Sequence, residues 1–94
     1  MAYGAYGLVE VLGDANGVVV LDQMCKAADV KVVAKYTRNG GHCTMIVGGE
    51  ISAVKAAVDT VAENPPCKVF ASGVISGPAE ETVRIFSEWE KGQM

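Results

Sequence analysis

Ninety-four residues, half of them hydrophobic and a fifth charged, suffice for one small core and leave apolar surface over for self-association. A net charge of −3 and the lack of any lysine or arginine run exclude a general nucleic-acid binder, whose affinity rests on neutralising phosphates. The opening MAYGAYGLVEV has no basic start ahead of an apolar stretch, and no apolar run reaches bilayer length, so the expectation is one cytosolic domain over 1–94 with no membrane partner.

From Tyr3 to Leu12, Ala5, Gly7, Val9 and Val11 alternate with Tyr6, Leu8 and Glu10, the period of two that marks a strand, and Gly13 ends it. Asp14 and Asn16 are turn or cap types ahead of a helix over Val18 to Ala28, with Val18, Leu21, Cys25 and Ala28 as its apolar stripe. Lys26 falls off that stripe and is expected in solvent. Two more period-two runs follow, with Val30, Val32, Ala34 and Tyr36 on one face of the first and Cys43, Met45 and Val47 on one face of the second. Between them lies TRNGG, whose Asn39, Gly40 and Gly41 reach positive φ at low cost and for which no partner within the chain is expected.

Glu50 to Glu63 returns to helical spacing, with Val54, Ala57, Val58 and Val61 on one face, and Asn64-Pro65-Pro66 stops it. Lys68 to Ile75 reads as a fourth strand with a bulge at Gly73. Ser76-Gly77-Pro78 followed by Glu80 and Glu81 starts a last helix carrying Val83, Ile85, Phe86 and Trp89, with fraying expected from Glu90 to Met94. The order strand, helix, strand, strand, helix, strand, helix gives an α+β, ferredoxin-like split β-α-β fold. Its four-stranded antiparallel sheet is covered on one face by two helices, and a C-terminal helix is added.

Catalytic groups are sparse. His42 is the single histidine, no nucleophile elbow is present, and the glycines match neither G-x-G-x-x-G nor the P-loop, so no enzyme is expected. Cys25, Cys43 and Cys67 are odd in number and lack a C-x-x-C pair, which leaves them as small buried hydrophobes.

The runs AYGLVEVLG, DQMCKAADVKVVAKYTRNGGHCTMIVGGEISAVKAAVD and KVFASGVISGP together resemble the bacterial microcompartment shell protein (BMC) domain over nearly the whole chain. The carrying segments are Gly7-Leu8-Val9-Glu10, Asp22 through Val30, Thr37 through Gly41, and Thr44 through Ala57. This resemblance implies a homohexameric tile whose central pore is lined by the loop from each subunit, namely Thr37, Arg38, Asn39, Gly40, Gly41 and His42. It also implies neighbouring hexamers, other shell proteins and encapsulated enzymes as partners. Lys26 matches the family's edge lysine, and Asp29, Gly77 and Pro78 fall on the same implied edge. Gly77 stands where many members have an arginine, and Asp29 where a neutral residue is common.

Within the loop, two readings of Arg38 stand side by side. Six copies around an axis would favour anionic or polar metabolites, or each would fold into an inter-subunit salt bridge. Cys43 likewise is either a buried structural thiol or, through the resemblance to divergent shell proteins of glycyl-radical microcompartments, a metal ligand to an iron–sulfur cluster at the pore. The alternative from another class is a ferredoxin-like regulatory or metal-binding module acting as a smaller oligomer.

Overall fold

The computed structural model describes residues 2–93. It contains β1 (Ala5–Leu12), α1 (Asp14–Ala27), β2 (Lys31–Thr37), β3 (His42–Gly49), α2 (Ile51–Glu63), β4 (Ala71–Ser76) and α3 (Glu80–Gln93). The strands form one antiparallel sheet in the order β2-β3-β1-β4. This is the expected split β-α-β arrangement.

Alternation along β1 and β3 decides which side chains meet which helix. Ala5, Val9, Val11, Cys43, Met45 and Val47 face α1 and α2 and join Val20, Met24, Val54, Ala57 and Val61 in one core. Burying each of the larger of these side chains contributes about 1.5–3 kcal/mol relative to leaving it in water. Tyr6, Val33, Ala34 and Ile46 face the other way, where Phe86 of α3 closes a smaller core with Val83 and Trp89 at its border. The sheet is therefore covered on both faces, but α3 lies mainly over β2 and reaches β1 through Phe86 against Tyr6. Among the described residues no helix is long and apolar enough to cross a membrane.

Several local expectations are corrected. α1 begins at Asp14 rather than Val18, behind a Gly13 N-cap at φ 92° that offers no side-chain cap. Its buried face is Gly17, Val20 and Met24, while Val18 and Cys25 of the expected stripe are exposed and only Leu21 and Ala28 pack at the core's border. The run GVVVL is apolar at every phase, so spacing alone could not fix the helix's rotation. Gly17 decides it, because a Cβ there would sit 2.6 Å from Met45 Cε and 2.9 Å from Cys43 Sγ, and only the missing side chain lets α1 lie this close to β3.

The irregularity expected at Gly73 lies instead in β2. β4 pairs with β1 in unbroken register from Ala71 to Ser76, and Phe70 N–H extends the pairing to Glu10 O at 2.9 Å, so the strand starts later than Lys68. β2 shifts register between Val32 and Ala34, which puts Val30 in the α1/α2 core but Ala34 in the α3 core, not on one face as alternation predicts. Lastly, α3 runs through the stretch expected to fray. Trp89 stacks on Tyr36 at 4.9 Å with the rings 5° from parallel, and Tyr3 Oη donates to Glu90 Oε2 at 3.0 Å. Met94 of that expectation lies outside the described residues.

Tyr6 is fully buried between Tyr3 and Phe86, and its hydroxyl has no hydrogen-bond partner among the described residues. A buried hydroxyl without a partner costs about 1–3 kcal/mol. Tyr6→Phe is therefore expected to stabilise the protein by about 1 kcal/mol in denaturant titration. A loss of that size would show that the hydroxyl is hydrogen-bonded in solution.

Candidate functional site

β1 runs from Ala5, paired with Gly49 and Ser76, to Leu12, paired with His42. The loop between β2 and β3 therefore sits at one end of the sheet, together with the start of α1. Asp29 O approaches Gly49 at the other end, where Gly77 N–H donates to Gly4 O at 3.1 Å and α1 ends near Lys26. The expected pore residues and edge residues are thus separated by the length of β1, about 25 Å, in a molecule measuring 31 × 29 × 18 Å. Lys26 is exposed and pairs with Asp22 at 2.8 Å, a contact that raises the lysine pKa through the carboxylate's hydrogen bond and charge. Asp29 is exposed, Pro78 is half-buried, and Gly77 adopts φ 57°.

The loop closes on itself. Arg38 N–H donates to His42 O at 2.9 Å and Gly41 N–H to Arg38 O at 3.1 Å, with Gly40 at φ 92° and Gly41 at φ 84°. A Cβ on Gly40 would meet nothing within 4 Å, so glycine is needed there for its backbone angle and not for space. The expectation that nothing in the chain holds this loop is corrected, since Gly13 N–H donates to Gly41 O at 2.8 Å and ties the loop to the turn before α1.

The six expected loop residues divide by what their side chains do. The hydroxyl of Thr37 is turned back to Asp14 Oδ1 at 2.7 Å. His42 lies on the sheet face away from α1, where Nδ1 donates to Glu10 Oε2 at 2.9 Å and the ring meets Phe70 edge-on at 4.9 Å. The Arg38 guanidinium carbon stands 5.7 Å from the centroid of the Tyr36 ring, and among the described residues Arg38 makes no ion pair. Arg38, Asn39 and Gly40 are exposed, so these three form the loop's free rim.

Cys43 points the other way. It is fully buried under Gly17, with Sγ 3.5 Å from Thr37 Oγ1 and 3.7 Å from Asp14 Oδ1. An iron–sulfur cluster at a central axis needs thiolates that project from the rim. Cys43 lies instead behind its own helix, so the residues do not fit that group. Among the described residues no three His, Cys, Asp or Glu side chains are gathered to hold a metal. Cys25, expected to be buried, is exposed on α1, where partial burial and the charge of Asp22 raise its thiol pKa.

From the sequence, Asp14 is only a turn or cap type, and the polar groups under the loop have no assigned part in holding it. Asp14 and Lys35, joined at 3.2 Å, and Glu10 on the opposite face all support it. The one available signal was an acid immediately after the strand-ending Gly13.

A second surface is defined by what remains uncovered. Leu12, Val18, Val19 and Phe70 are each 42–54% exposed, and the half of the sheet left bare by α3 forms a groove of about 320 Å³ lined by Leu8, Glu10, Thr44, Ala71 and Gly73 among others. The α1 valines and the groove lie on opposite faces of the sheet, so each is a separate candidate contact surface.

The BMC domain model matches residues 5–78, nearly all of the chain before α3. The chain is 35% identical to carboxysome shell protein CsoS1C of Halothiobacillus neapolitanus, over 92% of its own length and 84% of the relative's. Carboxysome shell protein CsoS1A of Hydrogenovibrio crunogenus is 36% identical over 79% of this chain and 76% of its own. A solved structure of a microcompartments protein from Desulfitobacterium hafniense superposes with a TM-score of 0.79 at 24% identity, covering 93% of this chain, which spans about half (48%) of that one. That last likeness concerns the fold. With a family match over most of its length and relatives above the identity at which homology is secure, this chain belongs to the BMC-domain family of bacterial microcompartment shell proteins.

Proposed function

We propose that this structural, non-enzymatic shell protein closes into a cyclic homohexamer with the loop rims around a central pore and Lys26, Asp29, Gly77 and Pro78 at the outer edge. The hexamer then tiles with others and with further shell proteins at the surface of a cytoplasmic microcompartment. The observation that carries this reading is the polarity of the fold, with a backbone-rich loop at one end of the sheet and the edge residues at the other. The exposed apolar flank supplies the remaining need. A ring of identical heterologous contacts buries such a flank in every copy, with Val18 and Val19 of one subunit set into the bare half of the next subunit's sheet.

At the rim, Arg38 pairs with no carboxylate among the described residues and is held over Tyr36. Repeated around an axis it gives a ring of cations that raises the local concentration of anions, so small anionic metabolites are the favoured cargo. Gly77 in place of a guanidinium leaves edge contacts to Lys26 and backbone, which favours mixed tiling with other shell proteins. An iron–sulfur cluster on Cys43 would require α1 and the loop to part, and it forms no part of this reading.

Native mass spectrometry tests the assembly. A single species of six times the 9.8 kDa chain is expected, with six-fold particles by electron microscopy. A monomer or dimer would instead favour a regulatory module and would overturn the proposal.

A further inference from the structure

What sets the shape of the loop is a contact made from outside the hairpin. Thr37 and Cys43 are the last paired residues of β2 and β3 before the chain turns. Asp14, the first residue of α1, meets both arms: Oδ1 accepts from Thr37 Oγ1 at 2.7 Å and from Lys35 Nζ at 3.2 Å, and it lies 3.7 Å from Cys43 Sγ. The preceding residue, Gly13, donates its N–H to Gly41 O at the loop's far end. Acids in the first helical turn ordinarily act on their own helix's free N–H groups. Here the carboxylate is engaged by side chains of two neighbouring strands.

We propose that Asp14 is a positioning residue that latches the loop over residues 38–41, so that the start of α1 fixes how far the rim of Arg38, Asn39 and Gly40 can spread. The consequence for a pore rests on the hexamer reading, whereas the latch itself is a property of the single chain. Asp14 and Lys35 are partly to largely exposed, with side-chain exposures of 62% and 30%. Exposed pairs contribute little to global stability because water screens them. The latch therefore acts on local loop order, and this separates it from a general structural role.

Acid should release it. Hydrogen bonding from Thr37, followed by the hydrogen bond and charge of Lys35, holds the Asp14 carboxyl below its ordinary range. A group with a lowered folded pKa contributes above its unfolded pKa and loses that contribution as pH falls through the folded value. The groups facing it are Lys35 and Thr37 from β2 and Cys43 from β3.

Hydrogen–deuterium exchange on the full-length protein provides the test. At neutral pH, Asp14→Ala and Thr37→Val are each expected to speed exchange in the peptide spanning 38–43 about fivefold or more, as local opening predicts. The double variant should go no further than Asp14→Ala alone, because that variant already removes the Thr37 hydrogen bond together with the Lys35 pair. Thr37→Ser, which keeps the hydroxyl, should retain protection, and the α2 peptide should not change in any variant. The difference between wild type and Asp14→Ala should vanish in acid, and comparison at matched pH cancels the intrinsic pH dependence of exchange. Unchanged exchange at 38–43, additive effects, or equal acceleration in α2 would each overturn the latch. Native mass of the same samples reports the hexamer separately, so failure of the ring and failure of the latch are distinguishable.

Discussion

Gly7→Val is expected to destabilise the protein by about 3 kcal/mol, the upper part of the range for overpacking a filled core. β1 lies at the centre of the fold between β3 and β4 with α2 above it. A Cβ at position 7 would stand 2.8 Å from Val58 Cγ2, 3.0 Å from Val54 Cγ1 and 3.3 Å from Val47 Cγ2. Two of these belong to helical valines, whose β-branch holds χ1 in one strongly preferred rotamer, so they cannot turn aside. Relief must come from lifting α2 off the sheet, which opens the core around Val54, Ala57, Val58 and Val61. In a domain of this size the melting temperature should fall by roughly 15 °C. Denaturant titrations at one fixed protomer concentration are the proper comparison, since assembly adds its own stabilisation. A loss under about 1 kcal/mol would mean that α2 rides more loosely on β1 than these contacts indicate.

The second large effect concerns assembly. Val19→Asp is expected to convert the proposed hexamer into folded monomers, seen as a sixfold drop in native mass with an unchanged far-ultraviolet circular dichroism spectrum. Val18 and Val19 are 54% and 51% exposed, although they occupy the middle of an otherwise apolar helical run. A valine pair on the outer face of α1 does nothing for the monomer's core. Placed in a neighbour's groove it becomes a desolvated anchor, and a carboxylate there gives up both its hydration and the valine's apolar contact. An intact ring would show that α1's outer face is not in the interface. An unfolded variant would show that the valines serve the fold itself.

Both predictions depend on positions whose role was invisible one residue at a time. Gly7 was legible as a strand residue on the inward face, but its need for no side chain came from the distance to α2. Val18 was placed in the core by its spacing and is in fact outside it. The run from Gly17 to Leu21 is apolar throughout, so helical periodicity carries no phase there. The contact of Gly17 with Cys43 and Met45 supplied the phase.

The site shows the same division. That a glycine loop joins β2 and β3, and that it differs in kind from a simple hairpin turn, could be read from TRNGG. Its attachment could not. Asp14 is distant in sequence from Thr37 and Cys43, and no local rule predicts that a helix's first residue will engage two strands. Cys43 was readable as facing the same way as Met45 and Val47. That alternation already favoured a buried thiol, and the position of α1 above it decided the matter.

The sequence by itself determined the element order, the split β-α-β fold, the faces of β1, β3 and α2, and membership of the shell-protein family. These follow from local periodicity and from motifs spread in order along the chain. Only the tertiary structure decided the rotation of α1, the bulge in β2, the docking of α3 through Trp89 and Tyr36, and the tie between Asp14 and the loop. Each of these depends on the fit between surfaces far apart in sequence, where a missing Cβ or a single carboxylate at contact distance outweighs any local preference.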